Sequence, residues 1–187
     1  MDKIATAIEA KDWQALHLSI FELANSSNIP IGELGKILED LPFIVIAFPD
    51  SSIMEYKGEK IIWYRYETLI WQLGEAFRHI LKKRKEFRKD RNLFRAIEEI
   101  CLDRQFGKGR ESFVILLGQY GNREAINTLL ELLGDSQVQG HAIYALRLLG
   151  ASEAQSQVRP FLQSSKTWIR DEAKKYFQKI ASQRPQS

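Results

Sequence analysis

Residues 121–150 read GNREAINTLLELLGDSQVQGHAIYALRLLG, and residues 150–165 read GASEAQSQVRPFLQSS. Laid over each other, Gly121 falls on Gly150, Glu124 on Glu153, Ala125 on Ala154, Leu133 on Leu162 and Ser136 on Ser165, an offset of 29 residues. The following segments repeat as well, with Ala142, Leu146 and Leu149 falling on Ala173, Phe177 and Ile180 at an offset of 31. RESFVILLGQYG, from Arg110, fits the same pattern one unit earlier. Self-similarity at such a period marks stacked supersecondary units, each burying its apolar face against the next.

Each unit reads as a helix, a turn and a second helix. Ala142, Ala145, Leu146 and Leu149 keep the spacing that makes one face of a helix. Gly121 and Gly150 stand just past such stripes, where a left-handed residue ends a helix without a Cβ penalty. Asp135 and Ser136, or Ser164 and Ser165, are placed to cap the following helix. Pro160 lies inside the second unit's first helix and is expected to bend it.

These residues resemble HEAT repeats, particularly the short bacterial type also found in phycobilisome lyase-like proteins, over residues 109–181. The resemblance implies an all-α, right-handed α-α superhelix, a solenoid. Its motifs are mostly small and aliphatic core positions, so it speaks to architecture more than to activity. No catalytic residue carries over, and no cofactor is expected.

The first hundred residues are more irregular. Asp2–Ala10 and Lys11–Asn25 read as two short helices, the second with a stripe of Trp13, Leu16, Ile20, Leu23 and Ala24. Pro30 suits a helix start. The run PFIVIAF, 42–48, fits a buried helix or a buried strand, and the lack of an evident partner strand favours a helix. From Glu59 a long helix is expected on the stripe Ile62, Tyr66, Leu69, Ile70, Leu73, Phe77, Ile80 and Leu81. Asp90 caps another, carrying Leu93, Phe94, Ile97 and Cys101. Residues 1–104 therefore read as a divergent helical N-terminal cap, continuous with repeats over 105–187 whose closing QRPQS frays.

Composition narrows the classes. With 187 residues, 44% hydrophobic and 27% charged, the chain belongs with ordinary globular proteins. Its longest apolar run, Leu41–Phe48, is well short of the ~20 residues of a spanning helix, so no membrane association is expected. A lone cysteine and an amino terminus without the layout of a secretion signal fit a cytoplasmic setting. Charge is uneven: residues 1–77 carry −6, residues 78–95 carry +7 and the remainder +2.

Candidate chemistry is sparse. His17, His79 and His141 are scattered without metal-ligand spacing. Cys101 reads as a small core hydrophobe. Gly107-Lys108-Gly109 lacks the ending of a phosphate loop and reads as a flexible connection. Glu98 and Glu99 diverge by about 100° on a helix and cannot pair as acid and base. Trp63 and Trp71 read as a second buried seam of the long helix rather than a binding edge.

Binding is the expected mode of action, with no enzymatic activity. On the central unit's second helix, His141, Tyr144 and Arg147 lie opposite the core stripe. Their equivalents are Ser112, Ile115 and Gly118 one unit earlier, and Glu172, Lys175 and Gln178 one unit later. Stacking would align these into a docking surface. Arg110, Tyr144, Arg147, Trp168, Arg170, Lys174 and Lys175 add aromatic area and charged donors that suit an acidic protein partner. Such a module fits an immunity or antitoxin role, masking a toxin's active site. The basic run Lys82, Lys83, Arg84, Lys85, Arg88, Lys89 and Arg91 has three readings: nucleic-acid phosphates, an acidic protein surface, or the solvated end of a helix. A nucleic-acid-binding repeat protein is thus the alternative function.

Overall fold

Asp12 sets the first boundary in the chain. Its carboxylate accepts a hydrogen bond from the Ala15 N–H at 2.9 Å, separating α1 (Lys3–Glu9) from α2 (Trp13–Asn25). The computed structural model describes residues 3–26, 28–56 and 59–183, and it is mostly helical. Asp2 and residues 184–187 of the closing QRPQS lie outside the described residues. Contacts divide the chain into two compact units, Met1–Ser112 and Phe113–Ser187.

In the first unit Pro30 precedes α3 (Ile31–Glu39), and the apolar run forms α4 (Leu41–Ala47), as favoured from sequence. Pro42 occupies its first turn, where the missing N–H has no intrahelical partner to lose. Beyond it the expected long helix fails over its first six residues. Ser51–Tyr56 (β1) and Glu59–Tyr64 (β2) pair antiparallel, with Ile53 opposite Ile62, and α5 begins only at Arg65 (Arg65–Lys83). The physical reason is local: EKIIWY is rich in β-branched and aromatic residues that suit a pleated strand. The Glu67 carboxylate then accepts from the Tyr64 N–H at 3.1 Å and fixes where the helix starts.

The first unit is centred on α5, whose Leu69, Ile70, Leu73, Phe77, Ile80 and Leu81 are buried as the stripe required. Helices α2 and α4 pack on it, as does a 3-10 segment, Arg104–Arg110. Asp90 caps α6 (Arg91–Leu102) by accepting from the Leu93 N–H at 2.8 Å, and α6 packs on α3.

The second unit repeats a simpler theme. Helix α7 (Glu111–Tyr120) supplies its residues from Phe113 onward, followed by α8 (Ile126–Leu132), α9 (Gln139–Leu149), the short α10 (Gln155–Val158) and α11 (Thr167–Ser182). Helix α9 packs on α8 and α11, and α11 on the 3-10 segment Arg159–Gln163. There the α-helix gives way to 3-10 form at Arg159, with Pro160 in the first turn of that segment. Gly118 of α7 lies so close to α9 that an added Cβ would stand 2.5 Å from the Ala145 Cα. Arg123 and Glu153, which open successive units 30 residues apart, meet at 2.5 Å. Gly150 takes the left-handed conformation, φ 63°, that its position after α9 predicts. Gly121 does not, because there the N–H simply continues the helical pattern to the Leu117 carbonyl at 2.9 Å.

Candidate functional site

The face expected from the repeat is built on α9 and α11, both in the second unit. Gly140 leaves the first turn of α9 without a side chain, and the Trp168 indole fills that space: a Cβ on Gly140 would fall on the ring. The indole lies 5.2 Å from the His141 ring, centroid to centroid, yet stays 46% exposed. Along the same side of α9, the Arg147 guanidinium sits 4.8 Å over the half-buried Tyr144 ring. Arg147 Nε and Nη2 donate to one Glu172 oxygen at 3.3 and 3.2 Å, and Lys175 Nζ donates to the other at 2.6 Å. Burial pushes His141 below the usual imidazole range, with the Glu172 charge opposing it.

These bonds alter the chemistry expected of the face. Arg147 and Lys175 are engaged with Glu172, Arg170 Nη1 donates to the Ser164 carbonyl at 2.6 Å, and Lys174 meets Asp171 at 3.4 Å. Of the cations expected to receive an acidic partner, Arg147 ties α9 to α11 through Glu172, whereas Lys174 and Lys175 stay exposed in pairs within α11. What the face offers outward is the Trp168 indole together with the exposed Lys174 and Lys175, while Tyr144 is half-buried. Helical spacing had found Tyr144; Trp168 stood out only as an aromatic beside basic residues at the turn before α11. Nothing in the spacing showed that Glu172 would hold the cations.

The continuous row of aligned positions also needs correction. Ser112 is fully buried and donates to the Gly109 carbonyl, and Gly118 is packed against Ala145. Arg110 is 0% exposed, so it is no partner-binding residue: Nε donates to the Gly107 carbonyl at 2.8 Å and Nη1 to the Cys101 carbonyl at 3.0 Å. A guanidinium desolvated this fully persists only where its donors are used inside the fold.

The first unit holds a second arrangement. Gly107 adopts φ 54°, and the Lys108 N–H donates to the Glu67 carboxylate at 2.8 Å. The glycine turn is therefore tied down, contrary to the flexible connection expected, and its amide holds an internal carboxylate. Neighbouring Glu111 is pushed up to about 7 by burial, with Lys108 opposing, Glu67 reinforcing and Arg110 opposing. Neither carboxylate was singled out by sequence, since no motif surrounds them.

The basic run is divided in its duties. Arg88 caps α5 by donating to the Leu81 and Lys82 carbonyls at 2.7 and 3.0 Å, and Arg84 pairs with Glu86 while covering the Phe87 ring. Lys82, Lys83, Lys85, Lys89 and Arg91 are exposed. The two tryptophans form no seam: Trp63 lies on β2, donating to Thr68 Oγ1, and Trp71 is exposed on α5. Cys101 is fully buried, which pushes its thiol far above the thiolate range. Among the described residues no three His, Cys, Asp or Glu side chains are grouped to hold a metal ion, and no helix is long and apolar enough to cross a membrane.

No family model matches the chain, and no curated protein does. Among the solved structures that it resembles are two described as engineered proteins from the Northeast Structural Genomics Consortium. One has 17% identity and a TM-score of 0.48 over 97% of this chain and 48% of its own length; the chain thus spans about half of that neighbour. The other has 15% identity and a TM-score of 0.40 over 97% of this chain and 98% of its own.

Proposed function

We propose that the chain is a non-enzymatic protein-binding module of the HEAT-like, α-α superhelical kind, docking its partner on the strip formed by Trp168, His141, Tyr144 and Arg147. The observation that carries the reading is Trp168: a large aromatic left 46% exposed, yet seated over Gly140 and against His141. Interface hot spots are enriched in such aromatics because they bury much area at small entropic cost. The Arg147–Glu172–Lys175 bonds support the same reading by holding the strip in place before a partner arrives. The ~30-residue offset and the successive contacts of α7 with α9 and α9 with α11 support the superhelix. An immunity-type role, masking a basic toxin, is supported by the −6 charge of residues 1–77, and it places the module in the cytoplasm.

The test is affinity capture from the native host with the unmodified chain and with a Tyr144→Ala, Trp168→Ala double variant. The reading requires a specific protein that the double variant recovers at least about tenfold less, equivalent to about 1.4 kcal/mol. Undiminished recovery rejects the strip. The alternative, nucleic-acid binding, is favoured by one observation, the exposed Lys82, Lys83, Lys85, Lys89 and Arg91. It requires binding to random DNA or RNA whose affinity falls steeply with salt as phosphate counterions are released.

A further inference from the structure

Helices α3 and α6 of the first unit pack against each other but leave an open groove of about 470 Å³ between them. Its floor is apolar, from Ile31 and Leu38 on α3, Leu93 and Ile100 on α6, and Phe106 beyond it. Its α3 wall is cut low at Gly32 and Gly35, where an added Cβ would meet nothing within 4 Å. Neither glycine has a positive φ, so backbone conformation does not require either one. Glycine inside a helix costs about 0.5–1 kcal/mol relative to alanine, and two of them in the nine residues of α3 keep space open.

Charge identifies what the space suits. Glu39, Asp90, Glu99 and Asp103 all line the groove, and no lysine or arginine does. Asp90 accepts the Leu93 N–H, and Asp103 accepts both the Gln105 N–H and the Gln105 side-chain amide, so neither carboxylate is bonded to a cation. Among the described residues none of these four carboxylates is in an ion pair. Along α6 the lining residues Asn92, Ala96, Glu99 and Asp103 follow one helical face, and eleven steps of rise give about 16 Å, or three turns. An apolar floor of that length rimmed only by negative charge matches an amphipathic segment with aliphatic anchors and basic flanks.

We infer that the α3–α6 groove is a docking site for a basic, aliphatic-anchored segment of a partner protein. Aliphatic side chains enter over Gly32 and Gly35, and lysines or arginines on either side meet Glu39, Glu99 and Asp103. This site is separate from the α9–α11 strip and does not rest on the reading of that strip.

The experiment uses the full chain and fluorescein-labelled peptides of roughly 14 residues, about four helical turns. One carries leucines at helical spacing flanked by lysines, the second replaces each lysine by glutamate, and the third replaces each leucine by serine. Fluorescence anisotropy near physiological salt is expected to show the Leu/Lys peptide binding at least about tenfold more tightly than either counterpart. Gly35→Leu is expected to remove that preference by filling the groove, with the thermal midpoint unchanged or raised. Glu39→Lys with Glu99→Lys is expected to weaken the Leu/Lys peptide about tenfold without the glycine change. Absence of binding, equal binding of the Leu/Glu peptide, or indifference to Gly35→Leu would overturn the inference. So would sedimentation showing that copies of the chain associate and that Gly35→Leu disperses them, because the occupant would then be a second copy.

Discussion

Glu111 carries the clearest consequence of a single side chain. Its carboxyl is pushed up to about 7 from an ordinary value of 4.5, chiefly by burial. A carboxyl raised in the folded state favours the protonated form, so the stability it lends is complete below about 4.5 and is lost as pH rises through about 7. Above that, a charged carboxylate remains half-buried. Glu111→Gln is therefore expected to raise stability at pH 8 by about 1–3 kcal/mol and to flatten the pH dependence between 4.5 and 7. Urea unfolding of both proteins across that range checks it; a variant no more stable at pH 8 would contradict it.

Tyr176 is the matching case for a neutral group. It is fully buried on α11, and its hydroxyl donates to the Ala151 carbonyl at 2.5 Å. Burial pushes the phenol up to about 12, so it stays protonated and able to donate. Tyr176→Phe removes one of that carbonyl's two donors, the other being the Ala154 N–H at 3.2 Å, and is expected to cost about 0.5–1.5 kcal/mol, read from the urea midpoint. Sequence alignment had paired Leu146 with Phe177 as the core position; the buried ring is its neighbour, because α11 turns Tyr176 inward beside Ala173 and Ile180.

At the scale of elements, the α7–α9 contact depends on glycine. Gly118 faces Ala145 at a separation no larger side chain permits. Gly118→Leu forces the two helices apart or the leucine out of its rotamer, and is expected to cost about 1–3 kcal/mol or more, checked by thermal unfolding. Helices with strong periodicity were legible from sequence: the cap at Asp90 and the start after Pro30 stand where their chemistry places them, whereas Asp12, read as part of the helix from Lys11, caps it instead. The β1–β2 hairpin was not. Ile62 happens to continue the α5 stripe at helical spacing, so periodicity absorbed a strand whose β-branched and aromatic residues pointed the other way. Where two local signals overlap, the Glu67 cap at Tyr64 decides the boundary, and no spacing rule anticipates a cap made by a glutamate that also binds Lys108.

At the scale of the whole molecule, each unit presents charged and apolar surface of its own. The first unit carries exposed lysines at the end of α5 and a groove rimmed by carboxylates; the second presents Trp168 and Tyr144 on α9 and α11, with Arg147 held by Glu172 and with Lys174 and Lys175 exposed. His141 and Tyr144 were legible because they sit opposite a clear core stripe. The electrostatics around them were not, because Arg147 and Glu172 are 25 residues apart and meet only once α9 and α11 pack. The most direct test of the docking strip is hydrogen exchange on the chain with and without the protein it captures. Slowed exchange in residues 139–149 and 167–176 is the expected result. Protection confined to residues 82–91, or absent from both helices, would contradict it.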